Sequence, residues 1–227
     1  MSSTDQPDSR AQSLAFFGSI TASVTHEIMN VIAIINELTG LLDDMRYSAD
    51  QGQVIESERL ESLHERFSKQ VSRGEKIIKR LNKFAHSADY DLIEFDLNET
   101  FRNLIGLMQR LADMKRINLS FEPSPAELRC TASPFELQHL IFRCGRMLLN
   151  SGEEGATVSL GVQKQADCYS INVTCSDIPD QGPERDELEL VTELAAAQGW
   201  NLQSRKEDSK FLFILTMPVR QTKDGDC

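Results

Sequence analysis

The sequence is short of positive charge: 24 Lys and Arg stand against 35 Asp and Glu over 227 residues, a net of −11 with a pI near 4.9. Binding to phosphate backbones draws on counterion release by basic side chains, so nucleic acid is not an expected partner. The sequence also lacks any Cys-x-x-Cys pair. Its five cysteines, Cys130, Cys144, Cys168, Cys175 and Cys227, are odd in number and widely spaced. That pattern suggests neither a disulfide framework nor a zinc ribbon, and reads as reduced thiols in a cytoplasmic protein. No apolar run approaches the roughly 18 residues of a membrane span, and the opening stretch is polar, so neither secretion nor membrane insertion is expected. Internal repeats and low-complexity tracts are missing as well. What remains is a length that suits one large domain or two small ones.

Two periodicities divide the chain near Ala88 to Ile93. From Phe17 the apolar residues Ile20, Val24, Ile28, Val31, Ile35, Leu38, Leu42 and Met45 recur at steps of three and four. This is the stripe of an amphipathic helix or coiled-coil seam, and it predicts a first helix from about Ser13 to Ser48. The turn formers of Ala49 to Gln53 interrupt it. Leu60, Leu63, Phe67, Val71, Ile78, Leu81 and Ala85 then resume the spacing in a second helix ending near Ser87. Two helices of roughly 50 Å with one apolar stripe each can bury little alone. Two such hairpins packed face to face bury their stripes, which predicts a homodimeric four-helix bundle, with burial against the chain's own second half as the alternative.

Beyond the boundary helix and strand alternate. Strands are expected at Leu92 to Leu97, Asn118 to Glu122, Leu128 to Thr131, Thr157 to Gln163, Tyr169 to Cys175, Asn201 to Ser204 and Phe211 to Met217. Helices are expected at Asn98 to Lys115, at Pro134 to about Leu149 with the proline at its first position, and at Asp186 to Gln198 before Gly199. The class is α+β, with helices on one face of a sheet. The expected organisation is thus a disordered 1–12, a hairpin at 13–88, an α+β sandwich at 89–220 and a tail at 221–227.

The chemistry is concentrated in Thr25-His26-Glu27-Ile28-Met29-Asn30. On a helical wheel with Val24 at zero, Ile28, Val31 and Ile35 fall within roughly 40°, whereas His26 lies near 200° and faces solvent. Asn30 lies about 40° from His26. Its neighbours Ala22 and Ala33 are small, so a docking protein can approach the ring. A neutral imidazole is a good nucleophile toward phosphorus, and a carboxylate beside it can hold one ring N–H so that the other nitrogen keeps its lone pair. Glu27 is the candidate for that role. An amide one turn on, Asn30, can hold phosphoryl oxygens or an attacking water. Taken alone, an exposed His-Glu pair on a charged helix is more often plain solvated surface. A His-Glu-x-x-His zinc site is excluded because Asn30 stands where the second histidine belongs. His64, His86 and His139 are isolated and read as surface or core fillers.

His26-Glu27-Ile28-Met29-Asn30, on the first of two long helices followed by an α+β half, resembles the H-box of sensor histidine kinases. Phe95-Asp96-Leu97-Asn98 is similar to the opening of that family's Bergerat-type ATP-binding domain, and Ser133-Pro134-Phe135-Glu136-Leu137-Gln138 to the start of its N-box helix. The resemblance covers most of the chain and implies a dimerisation and histidine phosphotransfer hairpin with His26 as phosphoacceptor. Its departures fall on nucleotide-binding positions. Arg143 and Met147 stand where the family's asparagines hold Mg²⁺ and phosphate, and neither is a ligand for a hard cation. Cys175 replaces the carboxylate that reads adenine. Glu187 and Glu189 replace the Gly-x-Gly that cradles phosphate, placing negative charge against negative charge. About ten residues separate Cys175 from the next helix, too few for the loop that closes over nucleotide. The family's proline after the H-box is absent, Val31 following Asn30.

The resemblance and its departures together imply a degenerate ATPase domain and a dimeric histidine phosphotransferase of a phosphorelay. His26 would take a phosphoryl group from the aspartyl phosphate of one response-regulator receiver domain and pass it to another, and Asn30 could also support receiver dephosphorylation. No cofactor of its own is implied, the receiver's acidic pocket supplying Mg²⁺. Receivers would dock through a mainly apolar face of Ala22, Met29 and Ala33 with local basic residues. Two other readings stay open: a sensor histidine kinase with a divergent ATP pocket, and a pseudokinase scaffold that binds receivers without chemistry.

Overall fold

The computed structural model describes residues 9–179 and 182–219. It comprises two compact units: Phe17–Asn82 forms one, and the described residues on either side of it form the other. The seam therefore cuts both long helices near their outer ends, and does not fall at the expected boundary near Ala88. Phe16 and Phe84 explain the difference. Both are buried in the α+β unit, where they pack on each other with ring centroids 5.2 Å apart.

Helix α1 (Ser9–Asp50) and helix α2 (Ser57–His86) are the two predicted long helices. α1 begins four residues before the expected Ser13, so the expected disorder of 1–12 does not extend to Ser9–Gln12. The rest of that expectation, residues 1–8, and the tail at 221–227 lie outside the described residues. By length and composition alone α1 would be apolar enough to cross a bilayer, contrary to the expectation from uninterrupted runs. That likeness is shared by core helices of soluble proteins, and α1 carries apolar residues on two sides for another reason. The single stripe of the sequence splits into two columns. Val24, Val31, Leu38 and Met45, seven residues apart, are buried. Ile28, Ile35 and Leu42 are only partly covered or exposed, with Leu42 45% exposed. On α2 the column Leu63 and Ile77 is buried while Leu60, Val71 and Ile78 are exposed. Leu38, Met45 and Leu63 form the core of the hairpin with Ile34, Ile55 and Phe67 against it. The chain reverses at Gly52, whose φ of +81° suits glycine.

In the α+β unit a 3₁₀ turn (Ser87–Asp89) leads to strand β1 (Ile93–Asp96), helix α3 (Leu97–Lys115), β2 (Asn118–Glu122), β3 (Arg129–Ala132), α4 (Pro134–Ser151), β4 (Thr157–Gln165), β5 (Cys168–Cys175), α5 (Arg185–Ala197), β6 (Asn201–Glu207) and β7 (Lys210–Pro218). Every expected element is present. Caps explain why the ends fall where they do. Asp96 accepts from the Glu99 N–H at 2.6 Å to start α3, and Ser133 accepts from the Glu136 N–H at 3.3 Å ahead of Pro134. After α5, Gly199 adopts φ +74° as a stop.

The main sheet runs β2-β4-β5-β7-β6, with β2 parallel to β4 and the other pairs antiparallel; β1 and β3 form a separate antiparallel pair. Alternation sorts the strands. Val158, Leu160, Val162, Tyr169, Ile171, Val173, Phe213, Leu215 and Met217 are buried, while Ser159, Asn172, Thr174 and Thr216 stay partly open. One face is thus covered by helices and the other is more open, carrying Leu212 and Ile214 among its polar residues. Asn98, in the family-like opening motif, ties down the β2–β3 loop: its amide donates to the Ser124 and Ala126 carbonyls at 3.2 and 3.0 Å and its oxygen accepts from the Ser124 N–H at 2.9 Å.

Candidate functional site

The hairpin carries the first set of expected residues. His26 and Asn30 are exposed on α1, one turn apart, and Ala22, Thr25 and Ala33 are exposed around them. Residues spaced by four on a helix have Cβ atoms about 5–6 Å apart, so imidazole and amide can meet one small group together. Met29, 57% exposed, adds an apolar edge. Helix periodicity alone brings these side chains to one face, since α1 runs without a break through them. Glu27 is placed differently from His26. Its side chain is largely covered and turned toward α2, where Arg73 Nη2 lies 4.0 Å from its Oε2. The sequence reading did not include Arg73, which lies 46 residues further along the chain; only the antiparallel pairing of the helices brings it there.

The second candidate region is a cleft of about 380 Å³ in the α+β unit, lined by Met147, Asn150, Ser151, Pro179, Gly182, Glu184 and Glu187. Met147 and Glu187 are two of the expected departures. Glu189 is not among the lining residues and is exposed, whereas Glu184, which the sequence reading missed, is. Glu184 is the N-cap residue of α5, followed by Asp186 and Glu187 in the first turn. Carboxylates there are favourable to the helix, because the free N–H groups and the dipole make that end positive. The cleft's anion-attracting end is therefore met by the chain's own carboxylates. Arg143, one turn before Met147, is half-buried; burial, then Arg146, lowers its pKa, and Glu187 acts the other way. The opposite charge of Glu187 thus acts on the partly covered Arg143.

Cys175 is buried, and its thiol lies 3.8 Å from the Asp177 carbonyl oxygen. Burial raises its pKa. The thiol packs close to the end of α4, since a Cβ added at Gly152 would come 3.1 Å from its sulfur. Cys175 lines a separate groove with Thr157, Ser159 and Thr174, not the cleft. Among the described residues no group of three His, Cys, Asp or Glu side chains is arranged to hold a metal ion.

Of the other histidines, His86 bonds Asp89 at 2.8 Å on the surface and His64 is exposed. His139 is a core residue. It is 1% exposed and stacks on Phe16 at 4.8 Å with 9° between the rings, and both ring nitrogens lack a hydrogen-bond partner among the described residues.

No family model matches the chain, and no curated protein matches it. Solved structures do. The Acinetobacter baumannii histidine kinase AdeS is 13% identical with a TM-score of 0.51, the match covering 86% of this chain and 98% of that one. A histidine kinase from Burkholderia phymatum is 14% identical with a TM-score of 0.51, over 88% of this chain and 98% of that one. The histidine kinase ThkA, solved in complex with the response regulator protein TrrA, is 20% identical with a TM-score of 0.50, over 93% of this chain and 64% of that one. At these identities the likeness is one of fold: a long helical hairpin followed by an α+β unit of the kind found in histidine kinases.

Proposed function

We propose that this chain works in two-component signalling, with His26 carrying a phosphoryl group that it exchanges with response-regulator receiver domains. The observation that carries the reading is the exposed His26–Asn30 pair between two alanines, on an unbroken helix of a histidine-kinase-like fold. The imidazole attacks phosphorus, Asn30 holds the phosphoryl oxygens or a water, and Glu27 holds charge beside the ring. Docking uses Ala22, Met29 and Ala33. A second copy of the chain covers the open column Ile28, Ile35 and Leu42, giving a homodimeric four-helix bundle. The protein acts in the cytoplasm without inserting into a membrane.

Two sources of phosphate compete. The solved structures it resembles are histidine kinases, which favours an ATP-dependent kinase over a dedicated phosphotransferase. The cleft's chemistry favours the phosphotransferase: Met147 cannot bind Mg²⁺, and Glu184 and Glu187 repel phosphates. We take the second reading as the conclusion, with Mg²⁺ held by the receiver and no cofactor in this chain. Calorimetric titration with Mg-ATP, followed by assay for acid-labile label from radiolabelled ATP and from phosphorylated receivers, separates them. The expected result is no heat and no label from ATP, but label from a receiver that His26→Ala abolishes. Micromolar ATP binding with label on His26 establishes the kinase instead, and receiver binding without label, indifferent to His26→Ala, leaves a scaffold.

A further inference from the structure

We propose that Arg73 is a positioning residue of the phosphoacceptor site, acting through Glu27. The inference rests on the reading of His26 as phosphoacceptor. Glu27 follows His26 directly, its side chain 16% exposed, and Arg73 reaches it from the other helix at 4.0 Å while remaining 50% exposed itself. The surroundings reinforce the placement. In a chain of net charge −11, the stretch of α2 holding Arg73 carries Lys69, Lys76, Lys79 and Arg80 against the single acid Glu75.

Electrostatics gives the pair a task. A phosphoryl group on His26 brings about two negative charges next to the Glu27 carboxylate. Like charges on adjacent residues of a helix repel, which slows N–P bond formation. The Arg73 guanidinium offsets that charge and keeps the carboxylate on the α2 side, away from the incoming group. With Arg73 half-exposed and the ions 4.0 Å apart, the pair adds little to folding stability, so its removal should be felt in reactivity more than in melting.

The test uses phosphoramidate, which needs neither receiver nor nucleotide. The lone pair of an imidazole nitrogen forms the N–P bond as the P–N bond of the reagent breaks. Ammonia leaves with that electron pair and then takes up the proton released by the ring. Phosphohistidine formation is followed by phosphorus NMR on the full chain for wild type, Arg73→Ala, Arg73→Lys, Glu27→Gln and the double variant Arg73→Ala/Glu27→Gln, with circular dichroism melts alongside. We expect Arg73→Ala to react about ten-fold more slowly. Arg73→Lys should recover most of the rate, and the double variant should match Glu27→Gln. Unchanged reaction in Arg73→Ala, or equal slowing with and without Glu27, overturns the role of Arg73 while leaving His26 in place. Absence of phosphohistidine at His26 in the wild type overturns the phosphoacceptor reading and this inference together.

Discussion

The hairpin face around His26 and the cleft beside α5 are built on opposite plans. At the hairpin the reactive groups stand in the open on a regular helix, flanked by alanines, and contribute nothing to the core. At the cleft the charged groups sit against the fold: Met147 is buried, Arg143 is partly covered, and Glu184, Asp186 and Glu187 gather at the start of α5. A site on a surface can keep its chemistry while its surroundings change.

That contrast can be broken most directly by two substitutions. His26→Ala should abolish phosphohistidine and leave the melting temperature unchanged, because surface changes away from special features stay within about 0.5 kcal/mol. Phe142→Ala should do the reverse. Phe142 is 1% exposed and packs on Phe16 at 5.0 Å with Arg146 5.8 Å above its ring, so its loss costs about 3–5 kcal/mol of the α+β unit's stability, read by denaturant titration. If the two variants affect melting alike, the hairpin face is not the free surface described here.

A smaller effect sharpens the comparison within the hairpin. Leu42→Glu places a charge in the exposed column and should shift a dimer toward monomer in sedimentation equilibrium, with helix content kept. An unchanged dimer would move the second copy to another face. The smallest effect is alkaline. Burial raises the pKa of Cys175, so its contribution is complete below the ordinary thiol range and is lost as pH rises through the folded value. Melts of the wild type from pH 7 to about pH 10 should fall more steeply than those of Cys175→Ser.

The elements were legible because their punctuation is local. Pro134, Gly199 and the capping residues Asp96 and Ser133 stand within a few residues of the ends they set. The solvent-facing position of His26 was legible too, since helix periodicity alone decides it. What escaped depends on partners far away in sequence. The stripe on α1 does not say which column α2 covers, so Ile28, Ile35 and Leu42 read as equal to Val24, Val31 and Leu38. Nor could periodicity show that Phe16 stacks on His139, or that Arg73 faces Glu27, because each pair joins two helices. Glu184 escaped because the resemblance directed attention to the glycine positions, matched by Glu187 and Glu189 further along the chain.

The carboxylates at the start of α5 have a bearing on how this protein responds to its surroundings. A ligand that binds only the folded form raises stability in step with its concentration, so ordinary nucleotide-binding units grow firmer when nucleotide is abundant. Here the helix end that would attract an anion already has its counter-charge in the chain. On the proposed reading, the α+β unit takes no stability from nucleotide, and its abundance is uncoupled from the energy state of the cell.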